Sequence, residues 1–279
     1  MLSCSCRLQL GSDGPSLTWD PSCFFDCTLP VAPNAPAGAQ TQAFGLPFPT
    51  ADASYSVDKG ASCNCPIFSS LCAHSNGTHT ECAGHVLPGA RTLASCGVFG
   101  GVAPAVLVTA APVALGGCGD PYAQPPAAPE DAVVSGAALA AALAAVPAPA
   151  AALLRAGGAL CVRTPGAKRG AKWSGAGAPY FTPAAVAVAT ASGARHLLTD
   201  LPSLDREADG GALLAHRAWW ALPPRGEERG AAGNSNSVTE LCCFPEEAVD
   251  GVYVLTLAIA PWEADAAPSR VHLHPCAVA

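Results

Sequence analysis

The twelve residues His74-Ser75-Asn76-Gly77-Thr78-His79-Thr80-Glu81-Cys82-Ala83-Gly84-His85 gather three imidazoles and a carboxylate. Nitrogen and oxygen donors in that mixture are what a divalent transition metal takes as ligands. On a strand, His79 and Glu81 stand at i and i+2, so both side chains point to one face. Gly77 is expected to let the backbone turn tightly and swing His74 back toward that face. One metal held by His74, His79 and Glu81 would keep positions open for water, the arrangement of a catalytic site rather than a structural one. For any single histidine an ordinary polar loop is the better explanation; for the cluster, metal binding is. A serine hydrolase is a poor alternative, because no G-x-S-x-G elbow occurs in the chain.

Elements that could position these groups are legible around them. Val106-Leu107-Val108 reads as a buried strand, and Gly136–Ala145 as an alanine-rich helix that Pro147 and Pro149 should end. Leu160–Thr164 reads as a strand running into a turn. Thr182-Pro183 has the form of an N-cap followed by proline at the first helical position, with Gly193 placed to stop that helix. Arg195–Thr199 reads as a strand delivering Asp200, Ala212–Trp220 as a helix, and Val252–Ala260 as a β-branched strand. Alternation of helices and strands indicates an α/β chain. The segment 119–131 (GDPYAQPPAAPED) is the best candidate for a loop or linker.

Composition narrows the class. The 279 residues carry a net charge of −7, only 13% charged residues, and 28 Gly with 27 Pro. The basic residues cluster only at Lys168, Arg169 and Lys172, so no positive face is available for nucleic acid. Residues 92–119 are uncharged, but their prolines and glycines favour strands joined by turns over a membrane span. Fourteen cysteines include no C-x-x-C pair, and the first ten residues hold no apolar signal stretch. These features are read as a reduced, cytoplasmic setting without membrane attachment.

With those residues in view, the chain resembles the metal-dependent cyclase family, which includes bacterial kynurenine formamidase and isatin hydrolase. The family signature H-x-G-T-H-x-D-x-x-x-H is similar to the run ending in Gly77-Thr78-His79-Thr80-Glu81 and His85. Three further stretches look like the same family: Thr199–Asp205 followed by Ala215-His216, then Val238–Leu241, and finally Asp265–Arg270. The resemblance implies one α/β domain of the swivelling β/β/α type, with a mixed sheet and flanking helices, over residues 40–279 behind an irregular segment 1–39. It also implies two adjacent metals, zinc or manganese, with His79 as ligand and Glu81 bridging, and the second metal completed by His216 and Glu240. His85 would be the general acid/base. Ser75 stands where the family has its first histidine, so His74 is carried over as the ligand from one residue back.

The activity implied is hydrolysis of an amide bond, of arylformamidase type, converting N-formylkynurenine to kynurenine and formate. A cyclic amide or lactone such as isatin is the alternative within hydrolases, and a ligand-binding member without turnover is the alternative outside them. A small-molecule substrate and a homo-oligomer complete the expectation. Trp19, Phe24, Phe25, Phe44 and Trp219 are candidates to stack on an aromatic substrate, although such residues more often pack in cores. Asp200 and Asp205 are explained by turn chemistry, His196 as a core histidine, and His272 and His274 as surface groups of a C-terminal tail. Arg270 is read as an ion-pair partner, and Cys82 as facing away from the metal motif.

Overall fold

The computed structural model describes residues 5–12, 14–36, 38–122, 127–166, 172–175 and 177–279. Cys4, Lys168, Arg169 and the middle of the 119–131 loop lie outside them. Seven strands close into a ring: β1 (His79–Glu81), β2 (Gly101–Thr109), β3 (Ala159–Arg163), β4 (His196–Thr199), β5 (Ser237–Glu240), β6 (Gly251–Ile259) and β7 (Ala266–Val278). Around the ring β2, β3, β4 and β5 are parallel neighbours, whereas β5–β1, β1–β7, β7–β6 and β6–β2 are antiparallel. The sheet is therefore mixed and the fold α/β.

Within residues 1–39, three short strands, Cys6–Gln9, Ser16–Trp19 and Phe25–Asp26, extend the sheet along β7. His272 and His274 consequently lie on β7 rather than in a tail. His274 is buried, with Nδ1 3.1 Å from the Cys23 carbonyl and Nε2 3.0 Å from Thr256 Oγ1.

Strand alternation sorts the core. Val106, Val108, Leu160, Val162 and Val238 pack on one face of the sheet beneath the helices. Ala105, Leu107, Cys161, Leu198, Leu255 and Leu273 fill the other face, together with Cys27 and Cys242. Those cysteines act as small apolar side chains. Besides a single turn at Leu115–Cys118, the helices are α1 (Ala73–Asn76), α2 (Gly136–Ala145), α3 (Pro149–Arg155), α4 (Pro183–Ala191) and α5 (Leu214–Trp219). Ser135 and Thr182 cap α2 and α4, accepting from the amides of Ala138 and Ala185. Gly193 stops α4 at φ +89°. The proline pair does not simply end α2: Pro149 opens α3 at its first turn, where its missing N–H costs nothing. The uncharged run 92–119 supplies β2 and its flanking turns, and among the described residues no single helix is long and apolar enough to cross a membrane.

Candidate metal centre

Strand β1 is three residues long and hydrogen-bonded on both sides, with Glu81 opposite Val238 of β5 and Ala266 of β7. Its alternation puts His79 and Glu81 on one face, both fully buried. Gly77 precedes it in extended backbone, φ 172°, and makes no tight turn. Its role is close approach: a Cβ there would stand 2.8 Å from the Leu29 carbonyl oxygen. His74 reaches the site from α1, and Ser75 does not, because its hydroxyl is engaged by the amide and carbonyl of Ala43 at 3.0 and 2.9 Å. His85 is not part of the strand. A 3-10 turn over Ala83–His85 folds it back over the site.

His216 comes from α5 and Glu240 from the end of β5. His216 Nε2 lies 2.8 Å from Glu81 Oε1 and 3.3 Å from Glu240 Oε1, while His79 Nε2 lies 3.5 Å from Glu240 Oε2. On the other side of Glu81, its Oε2 faces His74 Nδ1 at 3.1 Å and His85 Nδ1 at 3.8 Å. All six residues singled out from sequence thus converge: five form two donor groups that share Glu81, His74 with Glu81 and His85, and His79 with Glu81 and Glu240, and His216 lies against both carboxylates of the second group.

Two carboxylates escape a reading from sequence alone. Asp205 accepts from His216 Nδ1 at 2.7 Å and from the amides of Ala215 and His216 at 2.8 and 3.0 Å. It orients the imidazole rather than merely shaping a turn. Asp265 faces His74 Nε2 at 3.0 Å and His85 Nδ1 at 3.4 Å. An acid ahead of Pro268-Ser269-Arg270 and the second acid of Asp200–Asp205 were the available signals.

The donors fit a divalent cation. Despite these short separations, His79 Nε2, both Glu81 oxygens and His216 Nε2 are buried with no hydrogen-bond partner among the described residues. Buried polar atoms left in this way cost free energy unless something satisfies them. Burial opposes charge on Glu81, and the nearby His85 and His216 nonetheless hold its carboxyl well below the usual range. Burial likewise opposes charge on His216, which the neighbouring Glu81 carboxylate and the hydrogen bond to Asp205 keep well above the ordinary imidazole value. Burial lowers His74 too, but the hydrogen bond to Asp265 and the adjacent Glu81 carboxylate raise it to about 10. Positive charge is therefore what the cluster demands, whether as protons or as a metal.

Other candidates lie elsewhere. Trp219 is fully buried and donates to the Ser237 carbonyl, and Phe24 stacks on His272 at 4.0 Å. Trp19 faces His274 and Phe25 packs edge-on against Tyr253. Phe44 lines a small recess with Trp173, Ser203 and Asp205. His196 Nδ1 pairs with Ser237 Oγ at 2.6 Å, and Cys82 packs away from the donors against Leu93, Val98 and Ala267.

A family profile described as "Putative cyclase" matches residues 25–206. No curated protein matches the chain. Among solved structures, the "predicted metal-dependent hydrolase from Bacillus stearothermophilus" shares 16% identity at TM-score 0.54, covering 90% of this chain and 97% of that one. Isatin hydrolase A from Labrenzia aggregata, bound to benzyl benzoate, shares 16% at TM-score 0.57, with coverage of 90% and 93%. An isatin hydrolase bound to the product analogue thioisatinate shares 15% at TM-score 0.54, with coverage of 90% and 92%. At such identities the likeness is one of fold.

Proposed function

Since the chain belongs to this cyclase family, we propose that it is a metal-dependent hydrolase acting on an amide bond of a small molecule, of arylformamidase type. The observation carrying this reading is the pair of donor groups sharing Glu81, with four buried ligand atoms unsatisfied. His74, His79, Glu81, His216 and Glu240 would hold two divalent ions, zinc or manganese, with Glu81 between them. A metal there would supply Lewis acidity and lower the pKa of bound water from ~15.7 toward ~7.

The chain's own residues do the rest. Asp205 locks the His216 ring. His85, with 26% of its side chain exposed, stands between the donors and solvent. It is placed to take a proton from the nucleophile and return it to the departing amine. Hydrolysis of a cyclic amide such as isatin is the second reading, favoured by the isatin hydrolases among the structural relatives. The swivelling β/β/α topology, a cytoplasmic location and a homo-oligomeric state belong to the same reading.

The test is paired. Turnover of N-formylkynurenine and of isatin is measured alongside metal content. His85→Ala should abolish hydrolysis and retain metal, and Glu81→Ala should lose the metal. Wild-type protein that binds no metal and hydrolyses neither compound would overturn the proposal.

A further inference from the structure

Asp265 is the last residue before β7, and its place is set by ring closure rather than by local sequence. Its carbonyl accepts from the Cys82 amide at 3.0 Å, immediately beyond the pairing of Ala266 with Glu81. From there a single oxygen, Oδ2, meets two imidazoles: His74 Nε2 at 3.0 Å and His85 Nδ1 at 3.4 Å. An ionised carboxylate only accepts. Both facing nitrogens must therefore carry hydrogen. For His74, once a metal displaces its other proton, this would leave Nδ1, 3.1 Å from Glu81 Oε2, as the nitrogen turned toward the metal donors. For His85 it leaves Nε2 as the basic nitrogen.

We infer that Asp265 is a positioning residue which fixes the tautomers of a metal ligand and of the acid/base group together. This inference rests on the hydrolase reading above. His74 sits on a one-turn helix, with 21% of its side chain exposed. The position after it, Ser75, is committed to Ala43. A ligand so loosely framed by its own element is oriented from outside, by the carboxylate–histidine–metal relay that commonly orders such sites.

The experiment uses protein labelled with nitrogen-15 at histidine, with two-bond proton–nitrogen spectra recorded at about pH 8 in the metal-free and zinc-loaded states. Zinc affinity is measured in parallel by competition with a chromophoric chelator. In wild type, His85 should show the Nδ1–H tautomer alone. Asp265→Ala should convert it to a mixture and weaken zinc binding by about 10–100-fold. Asp265→Asn, isosteric and uncharged, guards against misfolding and should fall between. An unchanged His85 tautomer in both variants, or zinc affinity equal to that of wild type, overturns the inference. Wild-type protein that takes up no zinc would overturn the hydrolase reading instead. The metal-free spectra would still decide whether Asp265 sets His85.

Discussion

His74 and Ser75 are sequence neighbours with opposite surroundings. The hydroxyl of Ser75 is buried and holds both polar groups of Ala43, whereas His74 turns both nitrogens to carboxylates of the centre. Removing them should have separable effects. His74→Ala should leave the fold intact and reduce bound metal by at least about tenfold after dialysis. Ser75→Ala should retain metal and lose about 1–3 kcal/mol of stability, because two buried backbone groups lose their partner. Metal analysis and thermal unfolding of the two variants distinguish the cases, and equal metal content would remove His74 from the ligand set. At this scale the sequence showed what the period of a strand shows. His79 and Glu81 could be placed on one face from their spacing alone. Asp265 could not, since its partner His74 lies 191 positions away and only ring closure brings them together.

At the scale of elements, the short strand β1 carries the centre and depends on how closely the chain before it approaches its neighbours. Thr78 donates its amide to the Leu29 carbonyl at 2.9 Å, and its hydroxyl accepts from the Leu29 amide at 2.7 Å. Gly77→Ala would drive a Cβ to 2.8 Å from that same carbonyl and 3.0 Å from Val31 Cγ2. Backbone must move to relieve it. The expected cost is about 1–3 kcal/mol of stability, accompanied by lower metal occupancy as His79 shifts with the strand. Thermal unfolding and metal content measure both, and a variant equal to wild type in each would show that the approach is slack. Helices whose ends carry their own chemistry were legible in advance, as with Thr182-Pro183 and Gly193 around α4. What escaped is long-range: Asp265 brought against His74, and His274 buried by N-terminal strands. Local signals record caps and periods, whereas these outcomes depend on which segment pairs with which.

For the whole molecule, low charge and abundant small residues put unusual weight on each buried ionisable group. Asp200, just beyond the end of strand β4, is one that lies outside the metal centre. It is buried, and its carboxylate accepts from the amide and hydroxyl of Thr164, with Oδ1 receiving both. Burial dominates over those hydrogen bonds and over Arg163, and its pKa rises from 3.8 to about 7. The folded chain thus keeps a proton that the unfolded chain releases near pH 4. Stability from this group is fully present below that pH and is lost as pH rises through about 7. At ~1.4 kcal/mol per unit, the upper bound on the loss is about 4 kcal/mol. Asp200→Asn keeps an oxygen for both Thr164 donors and cannot ionise. Its melting temperature should match that of wild type at about pH 4 and exceed it by several degrees at pH 8. A difference that stays constant across that range would show that Asp200 is ionised throughout, and that the ring closes over a buried charge which Thr164 and Arg163 satisfy.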